Sequence, residues 1–231
     1  MQEREQAGST RGDEDPSVRR AEALAAAAET MRLVRDRCVW TQQITHRDLV
    51  PYLIEESAEL VDAVEAGSRV ELREELGDLL WQVLFHAEIA ARDAEDPFDI
   101  ADVADALTEK MVRRHPHVFG DDVAETPEQV LVLWNAAKAA EKSARRSVLD
   151  GVAPGMPSLA LAQKLLGKAA GLVPAPAPLA TAANSEPELG DALLALVAQA
   201  RTHGWDAERA LRERLRSLEA DIRTAEAGTP A

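Results

Sequence analysis

Apolar residues recur along most of this chain at three- and four-residue intervals. The segment 21–37, AEALAAAAETMRLVRDR, is Ala-rich and places Leu24, Ala28, Met31 and Val34 near helical spacing, which predicts a first helix. After an irregular CVWTQQITHRDLVP, Pro51 is suited to open a second helix as a first-turn proline, running to about residue 65. Ala66, Gly67 and Ser68 form a turn, and a third helix covers about 70–91. DAEDPFD is a loop, IADVADALTEKMVRR a fourth helix stopped at His115–Pro116, and HPHVFGDDVAE a second loop. Thr126-Pro127-Glu128-Gln129 carries a capping-box pattern with proline in the first turn, so a fifth helix starts there. A short helix at SLALAQKLLGKAA and two amphipathic helices broken near Gly204, between about 189 and 225, complete the set.

Strand-like alternation is absent and aromatic residues make up only 3% of the chain, so the expected fold is all-α, built on helical hairpins in the manner of a four-helix bundle. The domain reading is a disordered tail at 1–17, a helical domain at 18–145, a linker with one short helix at 146–187, and a second helical region at 188–231. That last region carries a weak internal repeat. EELGDLLWQVLFHAEIA at 74–90 resembles PELGDALLALVAQARTH at 187–203, and the two share ELGD. The second copy has the low-complexity PAPAPLATAANS where an acidic helix would precede it.

Composition narrows the function. With 46% hydrophobic and 29% charged residues the chain is globular rather than disordered. A net charge of -15 argues against nucleic acid or an anionic membrane as partner, since both require a basic face. A small anionic substrate remains compatible if a metal ion intervenes. The single cysteine, Cys38, excludes an intrachain disulfide, the polar N-terminus is no signal peptide, and no apolar run approaches the ~20 residues of a membrane span, so a cytoplasmic protein is expected.

The acids are concentrated in EESAELVDAVEAGSRVELREELGD, residues 55–78. On the second helix Leu53, Leu60, Val61 and Val64 form an apolar side, and Glu56 and Glu59, spaced i and i+3, lie together on its edge. On the third, Leu72, Leu76, Leu79 and Val83 form the apolar side, with Glu75 and Asp78 on its edge. Folding the chain back at Gly67 puts Glu59 opposite Glu75 and Glu56 opposite Asp78, ~12 to ~16 Å from the turn at ~1.5 Å per residue. Acids on helix faces are usually solvated, and one such pair says little. Two pairs at equal height beside apolar stripes say more, because partly buried anions repel and resist desolvation. A hard divalent cation relieves both costs. Mg²⁺ takes oxygen ligands and keeps positions for water and phosphate oxygens, so a Mg²⁺ site for a phosphorylated substrate is expected. A di-iron bundle would need Glu-x-x-His on its helices, which neither of these has.

EESAE at 55–59 followed by ELGD at 75–78 resembles the EExxE…ExxD pattern of the MazG-type nucleoside triphosphate pyrophosphohydrolases. CVWTQQITHRDLVPYLIEE, LREELGDLLWQVLFHA, FDIADVADALTEKMVRRHPHVFGD and VLVLWNAAKAAEK extend the likeness over about residues 30–145. The resemblance implies an all-α tight homodimer that hydrolyses a nucleoside triphosphate between its α- and β-phosphates, giving the monophosphate and pyrophosphate. The cofactor it implies is Mg²⁺, with Mn²⁺ as a substitute. By position it makes Glu56, Glu59, Glu75 and Asp78 the metal ligands. Glu55 or Glu59 would be the general base. Lys110, Arg113 and Arg114 of KMVRR would contact phosphate, and Trp134 and Lys138 of a WxxxK pattern would contact the nucleotide.

The chain departs from that pattern in places. Val39 replaces the proline of a CPW triplet, Tyr52 and Glu71 stand where lysines are found in some relatives, and the second copy lacks EExxE. Broad base specificity and a nucleotide-pool cleaning role follow from the resemblance. The alternatives are a narrower enzyme acting on dUTP or phosphoribosyl-ATP, and a helical dimerisation or adaptor module whose acids only solubilise it.

Overall fold

A computed structural model of the chain describes residues 15–141, 147–174, 176–177 and 183–227. Most of the expected tail (1–14) and parts of the expected linker (146, 175 and 178–182) lie outside the described residues. The described chain opens directly into helix. In order it forms α1 (Pro16–Arg37), α2 (His46–Ala66), α3 (Arg69–Ala90), α4 (Ile100–Arg114), α5 (Pro116–Phe119), α6 (Pro127–Glu141), α7 (Ser158–Lys168), α8 (Glu186–Thr202) and α9 (Ala207–Ala227). No strand occurs among the described residues, so the all-α reading holds.

The chain divides into two compact units, 1–138 and 139–231. In the first, α2 packs on α3 as an antiparallel hairpin, and α1 and α4 also contact α3. Gly67 closes the hairpin in the left-handed region, φ 76°, and its N–H reaches the carbonyls of Ala63 and Val64. Ser68 then caps α3 by accepting the Glu71 N–H. The far end of the hairpin is held by a small core. Leu49 and Phe85 are fully buried, Ile44 nearly so, and Met31, Val34, Trp81 and Ile89 pack around them.

The connector between α1 and α2 is tied down rather than loose. Buried Thr41 donates its hydroxyl to the Val34 carbonyl at 2.8 Å. The Arg35 guanidinium donates to the carbonyls of Thr41 and Ile44 and lies over the Phe85 ring, 5.8 Å from its centroid.

Two expectations are corrected. α2 begins at His46, not Pro51: Thr45 and Asp48 cap each other reciprocally, starting the helix early and leaving Pro51 inside it. The loop after α4 contains the single turn α5, set by Pro116 at its first position and closed by the Gly120 N–H on the Pro116 carbonyl. The apolar sides of α2 and α3 are also only partly covered, since Leu53, Val64, Leu76 and Val83 stay 39%, 58%, 52% and 46% exposed.

In the second unit α7 packs on α8 and α9, around buried Ala195, Val197 and Ala200. Gly204, φ 71°, separates α8 from α9 where the sequence places the break.

Two substitutions separate the forces holding the hairpin. Leu49→Ala empties a fully buried position and is expected to cost about 2–5 kcal/mol. In Gly67→Ala the added Cβ meets nothing within 4 Å, so only backbone strain is felt, about 1–2 kcal/mol. Urea unfolding of the full chain reads both, and equal losses would mean that the core at the far end of the hairpin is not its main anchor.

Candidate active site

The hairpin turn sets the heights of the acids. Glu56, on α2, and Glu75 and Asp78, on α3, each offer a carboxylate oxygen within 4.8 Å of those of the other two. This is the one group of three or more metal-capable side chains among the described residues. Glu59 lies outside the set and is exposed, yet its charge acts on both Glu56 and Glu75. Glu55 is exposed beside Glu56 and also acts on it.

Removal from water raises the pKa of Glu56, and the charges of Asp78, Glu59, Glu75 and Glu55 raise it further. The Glu75 pKa is raised in the same way, by loss of water first and then by Glu59, Asp78, Glu74 and Glu71. One oxygen of Glu75, Oε2, is sealed from solvent and accepts no hydrogen bond. Among the described residues no donor reaches the carboxylates of Glu56, Glu59, Glu75 or Asp78. Converging all-oxygen donors, a sealed unpaired oxygen and mutual repulsion are the features a hard divalent cation satisfies, so these residues fit one.

Polar character continues along the same face of α3. Gln82, one turn beyond Asp78, is fully buried and neither atom of its amide finds a partner. One turn further, His86 stacks on His46 with ring centroids 5.0 Å apart and planes 5° apart, and their Nδ1 atoms lie 2.7 Å apart. One nitrogen donates and the other accepts. Burial lowers the His86 pKa, with His46 adding to the effect, which favours the neutral ring. His46 stays exposed at the start of α2, while His86 is partly buried. The signal for the histidine pair was available, since residues 46 and 86 lie at nearly equal distances on either side of Gly67.

The basic and aromatic candidates gather at the end of α4 and on α6. The Arg114 guanidinium sits over the Trp134 indole, 5.2 Å from its ring. His115, which donates from Nδ1 to the Met111 carbonyl at 2.7 Å, meets Trp134 edge-on at 5.0 Å. Lys110 and Lys138 are partly shielded, while Arg113 is exposed and pairs with Glu109 at 3.6 Å. Arg114 and Trp134 are therefore brought together.

Residues 44–119 match the MazG nucleotide pyrophosphohydrolase domain, a span that includes all four carboxylates and KMVRR but ends before Trp134 and Lys138. The nucleoside triphosphate pyrophosphohydrolase of Escherichia coli is 33% identical over 227 residues, covering 88% of this chain and 86% of that protein. The chain belongs to the MazG nucleotide pyrophosphohydrolase family. An uncharacterized 26.1 kDa protein of Streptomyces cacaoi is 49% identical over 205 residues, 88% of this chain and 82% of its own length. The nucleoside triphosphate pyrophosphohydrolase of Mycobacterium tuberculosis is also 49% identical, over 154 residues. That match covers 67% of this MazG-family chain, which spans about half (47%) of the mycobacterial protein.

The raised pKa of Glu75 gives a pH-dependent test. In the ion-free fold the protonated acid is favoured, so its stabilisation is complete below the ordinary carboxylate range and is lost as pH rises through the raised value. Glu75→Gln keeps the neutral form at every pH. Without divalent ion it is expected to melt above the wild type at pH 7, with the gap closing as the pH falls. Adding Mg²⁺ is expected to raise the wild-type melting temperature and leave that of the variant unchanged. A variant that melts lower at pH 7 without ion would mean that Glu75 is held by a favourable partner.

Proposed function

We propose that the protein is a cytoplasmic, Mg²⁺-dependent nucleoside triphosphate pyrophosphohydrolase that cleaves between the α- and β-phosphates and accepts a broad range of bases. The observation that carries this reading is the convergence of Glu56, Glu75 and Asp78 from both arms of the hairpin, with a Glu75 oxygen sealed and unpaired. Family membership supplies the reaction class, hydrolysis of a phosphoric anhydride.

Glu56, Glu75 and Asp78 would hold the ion, and Glu59, outside their cluster in this structure, would complete the set. When bound, Mg²⁺ offsets phosphate charge and makes a nearby water more acidic. Glu59 is exposed next to the three converged carboxylates and accepts the proton of the attacking water; Glu55 is the other acid of α2 in reach of that role. Water adds to the α-phosphorus, the bond to the bridging oxygen breaks, and pyrophosphate leaves. Lys110, Arg113 and Arg114 take the phosphate oxygens, where the planar arginine forks fit best. Lys138 lies one turn beyond Trp134 and assists there. The base stacks on Trp134 in place of the Arg114 guanidinium. Stacking tolerates any base, which supports broad specificity and a role in clearing nucleotide pools.

The active form is a homodimer. Leu53, Ile54, Leu76 and Val83 on the catalytic hairpin remain 39%, 65%, 52% and 46% exposed, more apolar surface than two helices ordinarily leave to water. Region 188–231 is a degenerate second repeat without catalytic function. Its Glu188 serves the start of α8, accepting the Asn184 N–H at 2.7 Å.

The test is product analysis with each common NTP and dNTP, with and without Mg²⁺. Monophosphate plus pyrophosphate is expected, dependent on Mg²⁺ and lost in Asp78→Ala. Glu59→Gln is expected to lower kcat by about 10²–10⁴-fold, the range for a general base, and Glu55→Gln by far less. Diphosphate plus phosphate as products would sink the proposed cleavage site. No turnover in a folded protein that binds Mg²⁺ would point to a narrower nucleotide.

A further inference from the structure

Asp48, Tyr52, Glu55 and Glu59 follow one another on α2 at steps of four, three and four residues, so they share one face of the helix. That face carries acids at one end and borders a cavity at the other. The cavity, about 390 Å³, is lined by Trp40, Gln43, Ile44, Asp48 and Tyr52. Its size falls within the roughly 300–1,000 Å³ of small-molecule sites. Glu56 lies four residues beyond Tyr52, about 6 Å along the axis, so the cavity begins one helical turn from the converged carboxylates.

The walls are fixed from behind. Ile44 is nearly buried and belongs to the core of Leu49 and Phe85. The Arg35 guanidinium donates to the Ile44 carbonyl at 2.9 Å, and Asp48 Oδ2 accepts the Thr45 N–H and hydroxyl. The groups facing the cavity are not so engaged. Trp40 and Tyr52 are 54% and 40% exposed. Among the described residues, the Gln43 amide group and the Tyr52 hydroxyl make no hydrogen bond. A connector held firmly around free polar groups is a preorganised surface for a ligand.

We propose that this cavity receives the ribose of the nucleotide, with the Tyr52 hydroxyl and the Gln43 amide hydrogen-bonded to its 2′- and 3′-hydroxyls. The assignment rests on the reading of the carboxylates as the site of the ion and the phosphates. One ester oxygen joins the sugar to the α-phosphate, so the two lie within about one helical turn, the spacing of Tyr52 from Glu56. A ribose has an apolar carbon face and a hydroxyl edge. Trp40 offers a flat apolar wall for the first. Gln43 and Tyr52 each donate and accept, as the sugar hydroxyls do. Phosphate suits the cavity poorly, since the charged group in its lining, Asp48, is an anion. The cavity therefore reads the sugar and leaves the base to stacking, so selection for ribose coexists with tolerance of any base.

Titration calorimetry of the full chain with Mg²⁺ and the α,β-methylene analogue of ATP, which resists cleavage at the proposed bond, tests this. The analogue is expected to bind about three- to tenfold more tightly than its 2′-deoxy form, the loss of one partly exposed hydrogen bond. In Gln43→Leu/Tyr52→Phe the two forms are expected to bind alike, with the melting temperature unchanged because neither polar group holds the fold. In turnover the double variant is expected to raise the KM for ATP by the same factor, with a much smaller change in kcat. Equal binding of the two forms by the wild type, or a preference that survives in the double variant, would overturn the assignment and leave the phosphate reading standing. A double variant that changes the preference between adenine and guanine analogues, and not between ribose and deoxyribose, would mean that the cavity takes the base, which also overturns it. Failure of the folded wild type to bind either form would overturn the reading of the acid cluster, and the assignment with it.

Discussion

Like charges held together on one edge of a helical hairpin set the terms for the rest of the first unit. Glu56, Glu75 and Asp78 repel one another, and loss of water makes the charged forms of Glu56 and Glu75 costlier still. Such a cluster would push α2 and α3 apart unless the hairpin were fastened on either side of it. At one end Gly67 and Ser68 pair the last carbonyls of α2 and the first amides of α3. At the other, Leu49 and Phe85 are fully buried, with the His46–His86 stack beside them. Leu49 and Phe85 each lie eighteen residues from Gly67, so the acids sit between two fixed points and cannot relax by splaying. Arg35 tightens the far fastening by holding the connector at Thr41 and Ile44 while covering Phe85.

The carboxylates were legible in the sequence because their placement depends on local quantities, the helical period and the distance from a glycine turn. Glu56 and Asp78 could be matched across Gly67 before any packing was known. The start of α2 was local too, but two signals competed. Pro51 is a good first-turn residue, while Thr45 and Asp48 form a reciprocal cap, and two satisfied amides at the cap outweigh one hydrogen bond forgone at the proline. Gln82 was not legible. Nothing local tells a buried glutamine from a solvated one, and its burial follows from how the hairpin and its neighbours pack. The stripe of Leu53, Val64, Leu76 and Val83 shows a related limit. A pattern marks an apolar face, but it does not say which surface covers it.

The two ELGD segments show how position governs the role of a motif. Glu75 and Asp78 lie in the second and third turns of α3, opposite a long antiparallel helix that supplies Glu56. Glu188 lies in the first turn of α8, where backbone amides are unpaired, and its carboxylate takes one from Asn184. The same four letters thus supply a converging carboxylate edge in one place and a helix cap in the other. What differs is where the helix begins and whether an acidic helix precedes it.

The charged edge and the exposed apolar stripe belong to the same two helices, and that coupling gives the proposed homodimer a role beyond assembly. Repulsion among the acids works against the α2–α3 contact, and the core behind it is small. Covering Leu53, Ile54, Leu76 and Val83 adds on the order of 1 kcal/mol for each half-exposed side chain, applied along the helices that carry the charges. A second copy on that face would let the hairpin hold its carboxylates together before an ion arrives. Preorganised ligands bind a cation more tightly than ones that must first be gathered, so cation affinity and dimerisation would rise together.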